Sequence, residues 1–325
     1  SSWTEEQKLS ASDGTGGDEF ATVFLSGDTV VVGAHAHACA AGSRCGAAYM
    51  FWFDGTNWIE QQKLTASDAA ANAQFGQSVA IDGNTAVVGA PRDNERATHA
   101  GAGYVFVRSA GVWTEQAKLT ASDAAAFDEF SLPAVAIDGN TVVVGASQHD
   151  GVGADSGSAY VFTRSGAVWA QQPKLTASDA AAGDLFGSSV SVSGTRTLVG
   201  AYGNDDAGGD SGSAYSFHCI PPTGACCDET NGTCTEGVNQ VDCQGSGGRY
   251  GGDDSECATI DPPCGPCVGE QKLTASTPTA GARFGNKTAI DGDTAVVGAS
   301  WESCAAGAFC GSAYVFRFNG TNWTE

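Results

Sequence analysis

The 325-residue chain repeats itself, and the repeat limits what it can fold into more than any other feature. Lys-Leu recurs at Lys8-Leu9, Lys63-Leu64, Lys118-Leu119, Lys174-Leu175 and Lys272-Leu273, in steps of 55, 55, 56 and 98 residues. A phenylalanine follows each pair at one offset, as Phe20, Phe75, Phe130, Phe186 and Phe284. A fixed period marks an array of similar units, each too small to bury both faces alone. The last step is longer by about 43 residues, the net size of a cysteine-rich insert. Without it, five repeats remain.

One repeat resolves into four strands. Ser78–Ile81 alternates small or polar residues with apolar ones (strand A). Asp82-Gly83-Asn84 is a tight hairpin turn, since Gly and Asn tolerate positive φ. Thr85–Ala90 is a near-continuous apolar run, as expected of a strand buried on both faces (strand B). A Gly-rich acidic loop leads to Tyr104–Val107 (strand C), and a short turn leads to the more polar Trp113–Leu119 (strand D). No segment sustains a 3.6-residue period, so almost no helix is expected. Four antiparallel strands per unit predict an all-β propeller of about five blades, which buries sheet faces and leaves only short edges. A β-solenoid is the competing architecture. Its coils are usually shorter and lack a polar fourth strand.

These residues resemble the FG-GAP repeat, the blade of the integrin α-subunit propeller. Repeat two carries Phe75-Gly76 and then Gly89-Ala90-Pro91; Phe186-Gly187 with Gly200-Ala201 and Phe284-Gly285 with Gly298-Ala299 keep most of it. Phe20-Ala21 and Phe130-Ser131 drift at the second position. The resemblance covers all five repeats and omits the insert. It implies the fold strongly and the function weakly. Many such blades hold calcium in the A–B turn through an Asp-rich loop. Here that turn has shrunk to Asp82-Gly83-Asn84 and its equivalents, with too few oxygens for the ~6–8 ligands calcium takes.

The family usually closes with seven blades. Trp3-Thr4-Glu5 opens a strand D with no blade before it, and Trp323-Thr324-Glu325 opens one that stops after three residues. Three arrangements fit: residues 3–9 complete the last blade, they complete a neighbouring molecule's last blade, or the chain is part of a longer array. Repeat five also resembles repeat one more than its own neighbours. Both carry Cys-Ala-Ala-Gly through Cys-Gly and then Gly-Thr-Asn-Trp. A four-repeat super-period and a local duplication both account for this. The expected organisation is blades one to four over 1–218, the insert over 219–267, and the end of blade four with blade five over 268–325.

Twelve cysteines fall in three clusters: Cys39 and Cys45; Cys219, Cys226, Cys227, Cys234, Cys243, Cys257, Cys264 and Cys267; then Cys304 and Cys310. An even, closely spaced set reads as disulfides in an oxidising compartment. Metal thiolates are the alternative, but ordinary zinc sites use four ligands at tighter repeated spacings. Cys39–Cys45 and Cys304–Cys310 are the expected local loops, with Cys219–Cys267 at the neck of the insert. The other six cysteines allow 15 pairings. The chain opens at Ser1 without a charged or apolar leader, so any signal peptide has been removed. The expected localisation is secreted or cell-surface.

A net charge of −22 argues against nucleic acid and against anionic membrane surfaces. No apolar run is long enough to span a bilayer. The D–A and B–C loops share one face and gather the carboxylates there. Asp205, Asp206, Asp210, Asp150 and Asp155 are the candidate ligands for calcium or another divalent cation. A solvated acidic rim is the plainer reading. His35 and His37 beside Cys39 are a weaker metal candidate. The recurrent tryptophans are packing residues, whereas Trp52 and Trp301 are off-pattern and suited to stacking on a sugar ring. Asn231, Asn286, Asn319 and Asn322 fit the glycosylation sequon. No phosphate loop, nucleophile elbow or zinc-protease motif is present. The aspartate pairs repeat from blade to blade, whereas catalytic pairs are normally unique. The expectation is a non-enzymatic extracellular structural or adhesive protein that assembles with itself. A carbohydrate- or cation-dependent receptor for a surface protein or glycan is the alternative. A glycoside hydrolase would need an unrepeated axial carboxylate pair, and none is identifiable.

Overall fold

The computed structural model describes residues 4–132, 134–219, 269–304 and 307–325, together with the backbone of 223–227, 234–239, 249–250 and 267–268. These residues hold no helix. The first sheet has β1 (Phe20–Ser26), β2 (Thr29–Ala34), β3 (Ala47–Phe53) and β4 (Trp58–Leu64). The second has β5 (Ser78–Asp82), β6 (Thr85–Ala90), β7 (Ala102–Ser109) and β8 (Val112–Leu119). The third has β9 (Val135–Asp138), β10 (Thr141–Ala146), β11 (Ser158–Ser165) and β12 (Val168–Gln171). The fourth has β13 (Phe186–Ser193), β14 (Arg196–Ala201), β15 (Ser213–Cys219) and, beyond the insert, β19 (Cys267–Leu273). The insert contributes β16 (Thr223–Cys227), β17 (Cys234–Asn239) and β18 (Arg249–Tyr250) as a small sheet of its own. The fifth blade has β20 (Phe284–Asp291), β21 (Thr294–Ala299), β22 (Ser312–Phe318) and β23 (Trp323–Thr324). Five four-stranded antiparallel meanders, one per repeat, make the β-propeller architecture that the period predicts.

The apolar run of strand B explains the stacking. β2, β6 and β10 are buried along their full length. Alternate residues of one strand face opposite neighbours. Val88 packs with Val31, Met50 and Phe75, whereas Val87 packs with Phe130, Val142 and Tyr160. The second, third and fourth sheets therefore each belong to two cores, one shared with the blade before and one with the blade after. The first strands stand innermost. Thr22, Ser78, Ala134, Ser189 and Lys287 all border one axial cavity of about 320 Å³.

The junction between consecutive blades is built the same way four times. β1 packs on β5, β5 on β9, β9 on β13 and β13 on β20. Gly46, Gly101, Gly157 and Gly212 each form a parallel bridge to the phenylalanine of the next blade. The approach is close enough to demand glycine: a Cβ on Gly200 would lie 1.9 Å from the Gly285 carbonyl oxygen.

The fifth blade does not return to the first. No comparable packing joins β20 to β1. A Cβ on Gly298 would meet nothing nearer than 3.7 Å, and that atom belongs to its own blade. β21 alternates in burial where β6 and β10 are buried throughout, and Val315 of β22 is 49% exposed. On the other side of the gap, Val23 is 63% exposed. Residues 4–9 lie outside all five sheets.

Candidate functional site

Two regions carry the chemistry: the face that holds the D–A and B–C loops, and the two unmatched blade surfaces at the gap.

On the loop face the recurrent lysine reaches back over the tyrosine of strand C to an aspartate in the loop that enters the blade. Lys63 Nζ is 2.6 Å from Asp13, whose other oxygen accepts the Tyr49 hydroxyl at 2.6 Å. The same triad recurs as Lys118–Asp68–Tyr104, Lys174–Asp123–Tyr160 and Lys272–Asp179–Tyr215. Burial alone would raise Asp68, Asp123 and Asp179, but the lysine and tyrosine hydrogen bonds outweigh it and hold all three below the usual carboxylate value. For Asp13 the Lys63 hydrogen bond is the main lowering cause. This explains why Lys-Leu and Ser-Asp recur together, which the sequence showed without a reason.

A fourth group in the B–C loop completes each of these four clusters. It is His37 in blade one, Asp93 in two, His149 in three and Asn204 in four, and Glu302 holds the same place in blade five, where Thr277 replaces the aspartate. His37 Nδ1 lies 2.9 Å from Asp18 and its Nε2 2.7 Å from Lys63 Nζ. An ammonium only donates, so Nε2 accepts and Nδ1–H donates to Asp18. His149 repeats this between Asp128 and Lys174. Burial acts to raise Asp18, but hydrogen bonds from Thr15 and His37 prevail and hold it at about 2. His37 thus serves a cluster of salt bridges, and His35 pairs with Glu19 at 2.7 Å.

The candidate cation ligands sit on the same face in two loops. Asp150 accepts the backbone N–H of Asp155 at 2.9 Å, and Asp205 accepts that of Asp210 at 2.7 Å. Asp206 is held by the Lys272 ammonium. These carboxylates shape their own loops, and among the described residues no group of three or more His, Cys, Asp or Glu is placed to hold a metal ion.

The off-pattern tryptophans differ. Trp52 is exposed on β3. One face of Trp301 is covered by the Arg283 guanidinium at 3.5 Å and its edge meets Phe309. The recurrent Trp113 and Trp323 are buried, the former under Arg108, as packing residues should be. Asn319 and Asn322 are exposed in the turn after β22, where Asn319 caps the backbone of Thr321 and Asn322. Asn286 is half-buried in β20. Asn231 lies outside the described residues.

The disulfides Cys39–Cys45 and Cys304–Cys310 close the B–C loops of blades one and five. Cys219 is disulfide-bonded, and the ladder sets it opposite Cys267. The side chains of Cys226, Cys227, Cys234, Cys243, Cys257, Cys264 and Cys267 lie outside the described residues.

At the gap, the unmatched surfaces are two halves of one junction. In each internal junction the phenylalanine and the residue before it donate backbone N–H groups to two carbonyls of the preceding blade. Gln74 and Phe75 bond to Arg44 and Cys45, and Arg283 and Phe284 bond to Asp210 and Ser211, all at 3.0 Å. Among the described residues Glu19 and Phe20 make no such bonds, and the carbonyls of Phe309 and Cys310 accept none of them. Glu19 nonetheless has φ 55°, beside 59° at Gln74 and 57° at Arg283, and Phe309 has 58°, beside 54° at Arg44. Both halves already hold the junction conformation. No motif marks Glu19 or Phe309, because what sets them apart is a backbone conformation (φ 55° and 58°) shared with the junction residues of the other blades.

The FG-GAP repeat model matches the chain five times, over residues 3–51, 58–106, 113–162, 169–217 and 268–316. The chain belongs to the FG-GAP repeat family. The last four matched units each start in the fourth strand of one blade and end in the third strand of the next. No curated protein matches the chain. FG-GAP propeller modules usually serve adhesion or ligand binding, generally mediate protein interactions and are generally non-catalytic. Disulfides and FG-GAP repeats together suggest an extracellular domain. Among the described residues no helix is long and apolar enough to cross a membrane.

Proposed function

We propose that the chain is a non-catalytic extracellular structural or adhesive protein whose blade arrays assemble head to tail into a fibre or matrix. One observation carries this reading: among the described residues blade five does not pack on blade one as successive blades pack on each other, and Glu19-Phe20 and Phe309-Cys310 hold the donor and acceptor conformations of an internal junction without forming one. Two complementary ends on one unit make a heterologous contact, which propagates unless the rotation closes it into a ring. The disulfide-closed loops suit an oxidising exterior, and the strongly acidic surface keeps such a unit soluble. A receptor that binds glycans or cations through the loop face has less support, because Asp150, Asp205 and Asp206 are engaged within the molecule.

Light scattering after size exclusion, over a wide range of protein concentration, tests the proposal. Mass that rises with concentration in steps of one chain supports it. A single-chain mass at every concentration refutes it.

A further inference from the structure

The junction of blades four and five departs from the repeat in three places, and the departures meet in one cavity of about 450 Å³. The first is on strand D. Gln61 and Gln116 accept the indole N–H of the next blade's tryptophan, Trp113 and Trp169, at 3.1 and 2.9 Å. Glu270 occupies that place in blade four, but its carboxylate accepts both the N–H and the hydroxyl of Ser178. The second is on strand C, where Ser216 replaces Met50, Val105 and Val161. The Trp323 indole N–H donates to the Ser216 hydroxyl at 3.0 Å. The third is the cross-strand pair of Arg196 with His218. The other four blades start strand B with Thr29, Thr85, Thr141 and Thr294. What repeats from blade to blade holds the blades together, and these residues do not repeat.

Arg196 and His218 give the cavity its chemistry. The guanidinium lies over the Phe318 ring, 4.0 Å from its centroid, which fixes its plane. Nη1 donates to the Gly292 carbonyl and, at 2.7 Å, to the largely exposed Asp293 carboxylate. Nε and Nη2 have no partner among the described residues. Partial burial first, and Arg196 second, hold His218 below its usual value. The imidazole is therefore neutral at pH 7, and Arg196 is the cation among the lining residues. Asn322 adds an exposed amide whose side chain makes none of the described hydrogen bonds. Gln271 is spent on both backbone groups of Trp323. Phe318 and Trp323 supply apolar wall.

We propose that this cavity binds a small hydroxylated carboxylate with the size of one sugar ring, a uronic-acid residue being the fitting class. The volume lies within the range of small-molecule sites, ~300–1,000 Å³. The Nε–Nη2 edge of one guanidinium matches one carboxylate, which it holds by two parallel N–H bonds. His218 and Asn322 supply hydrogen bonds for ring hydroxyls. A neutral sugar would leave the guanidinium edge unused, and a dianion would meet the negative charge of Glu270. The same chemistry is offered by a free sugar acid and by a uronate unit of a polysaccharide. The site does not depend on head-to-tail assembly.

Titration calorimetry with glucuronate, and with glucose as the ring without the carboxylate, tests this. Glucuronate binds saturably and shifts the Trp323 indole N–H resonance, and glucose binds at least about tenfold more weakly. Arg196→Gln weakens glucuronate about tenfold or more, and His218→Leu weakens it about threefold. H218L, whose side chain reaches solvent, serves where R196Q loses its fold. A disaccharide that contains glucuronate binds as tightly where the ligand is a polysaccharide unit, and more weakly where it is the free acid. No heat and no resonance shift up to about 20 mM glucuronate overturns the proposal. Glucose that matches glucuronate also overturns it. Binding unchanged in both variants places the ligand elsewhere and overturns it as well.

Discussion

The Phe75 N–H donates to the Cys45 carbonyl at 3.0 Å, so the disulfide of blade one lies within the acceptor loop of the first junction. Cys310 holds the same place in blade five, where the acceptor is unfilled. The two disulfides are therefore predicted to differ in effect. Removing Cys39–Cys45 by paired alanine substitution costs roughly 2 kcal/mol for a loop this short, seen as a lower melting temperature. Removing Cys304–Cys310 weakens self-association with less effect on melting.

The close approach at the junctions gives a paired test. A Cβ on Gly145 would lie 2.0 Å from the Gly187 carbonyl oxygen, whereas one on Gly298 would make only ordinary contact with Lys287 at 3.7 Å. Gly145→Ala is expected to destabilise the protein by about 1–3 kcal/mol. Gly298→Ala is expected to leave the denaturation midpoint of the single chain near wild type. Equal effects of the two would mean that blade five is covered within its own chain.

Lys118 neutralises Asp68, Asp93 and Glu95 at once, and the Asp93 side chain is only 7% exposed. Lys118→Met strands that carboxylate. The expected loss is about 3 kcal/mol, as for other broken buried pairs. Urea unfolding measures it, and a loss no larger than that of an exposed lysine such as Lys8 would contradict the role assigned to the cluster.

Acid should unfold the protein through the same face. Asp18 is held at about 2, below the ordinary 3.8, and Asp13, Asp68, Asp123 and Asp179 are also lowered. A depressed carboxyl contributes stability above its unfolded value and loses it as the pH falls through the folded one. Stability should therefore be nearly level above about pH 5 and fall between that point and about pH 2. Asp18→Asn should flatten part of that slope in a pH series of melting curves.

Calcium offers a separate check. With Asp150 and Asp205 turned into their own loops and Asp206 bound by Lys272, millimolar calcium is expected to leave the melting temperature unchanged. A rise that EDTA reverses would restore the cation-dependent receptor as the better reading.

The sequence made the blades legible because burial on both faces imposes a near-continuous apolar run on strand B, as at β2, β6 and β10, and close approach between blades imposes glycine. Val87 and Val88 could be read as buried on opposite faces before any fold was known. The clusters were half legible: the recurring lysine, aspartate and tyrosine were visible, but spacing alone could not show that Lys63 bends back to Asp13 across 50 residues. The acidic loops looked freer than they are for that reason.

Electron microscopy of the native protein at high concentration tests the central claim most directly. Head-to-tail assembly predicts strings or fibres in which five-blade units follow one another with one constant spacing. Discrete particles of single-chain size, with blade five closed against blade one, would contradict it.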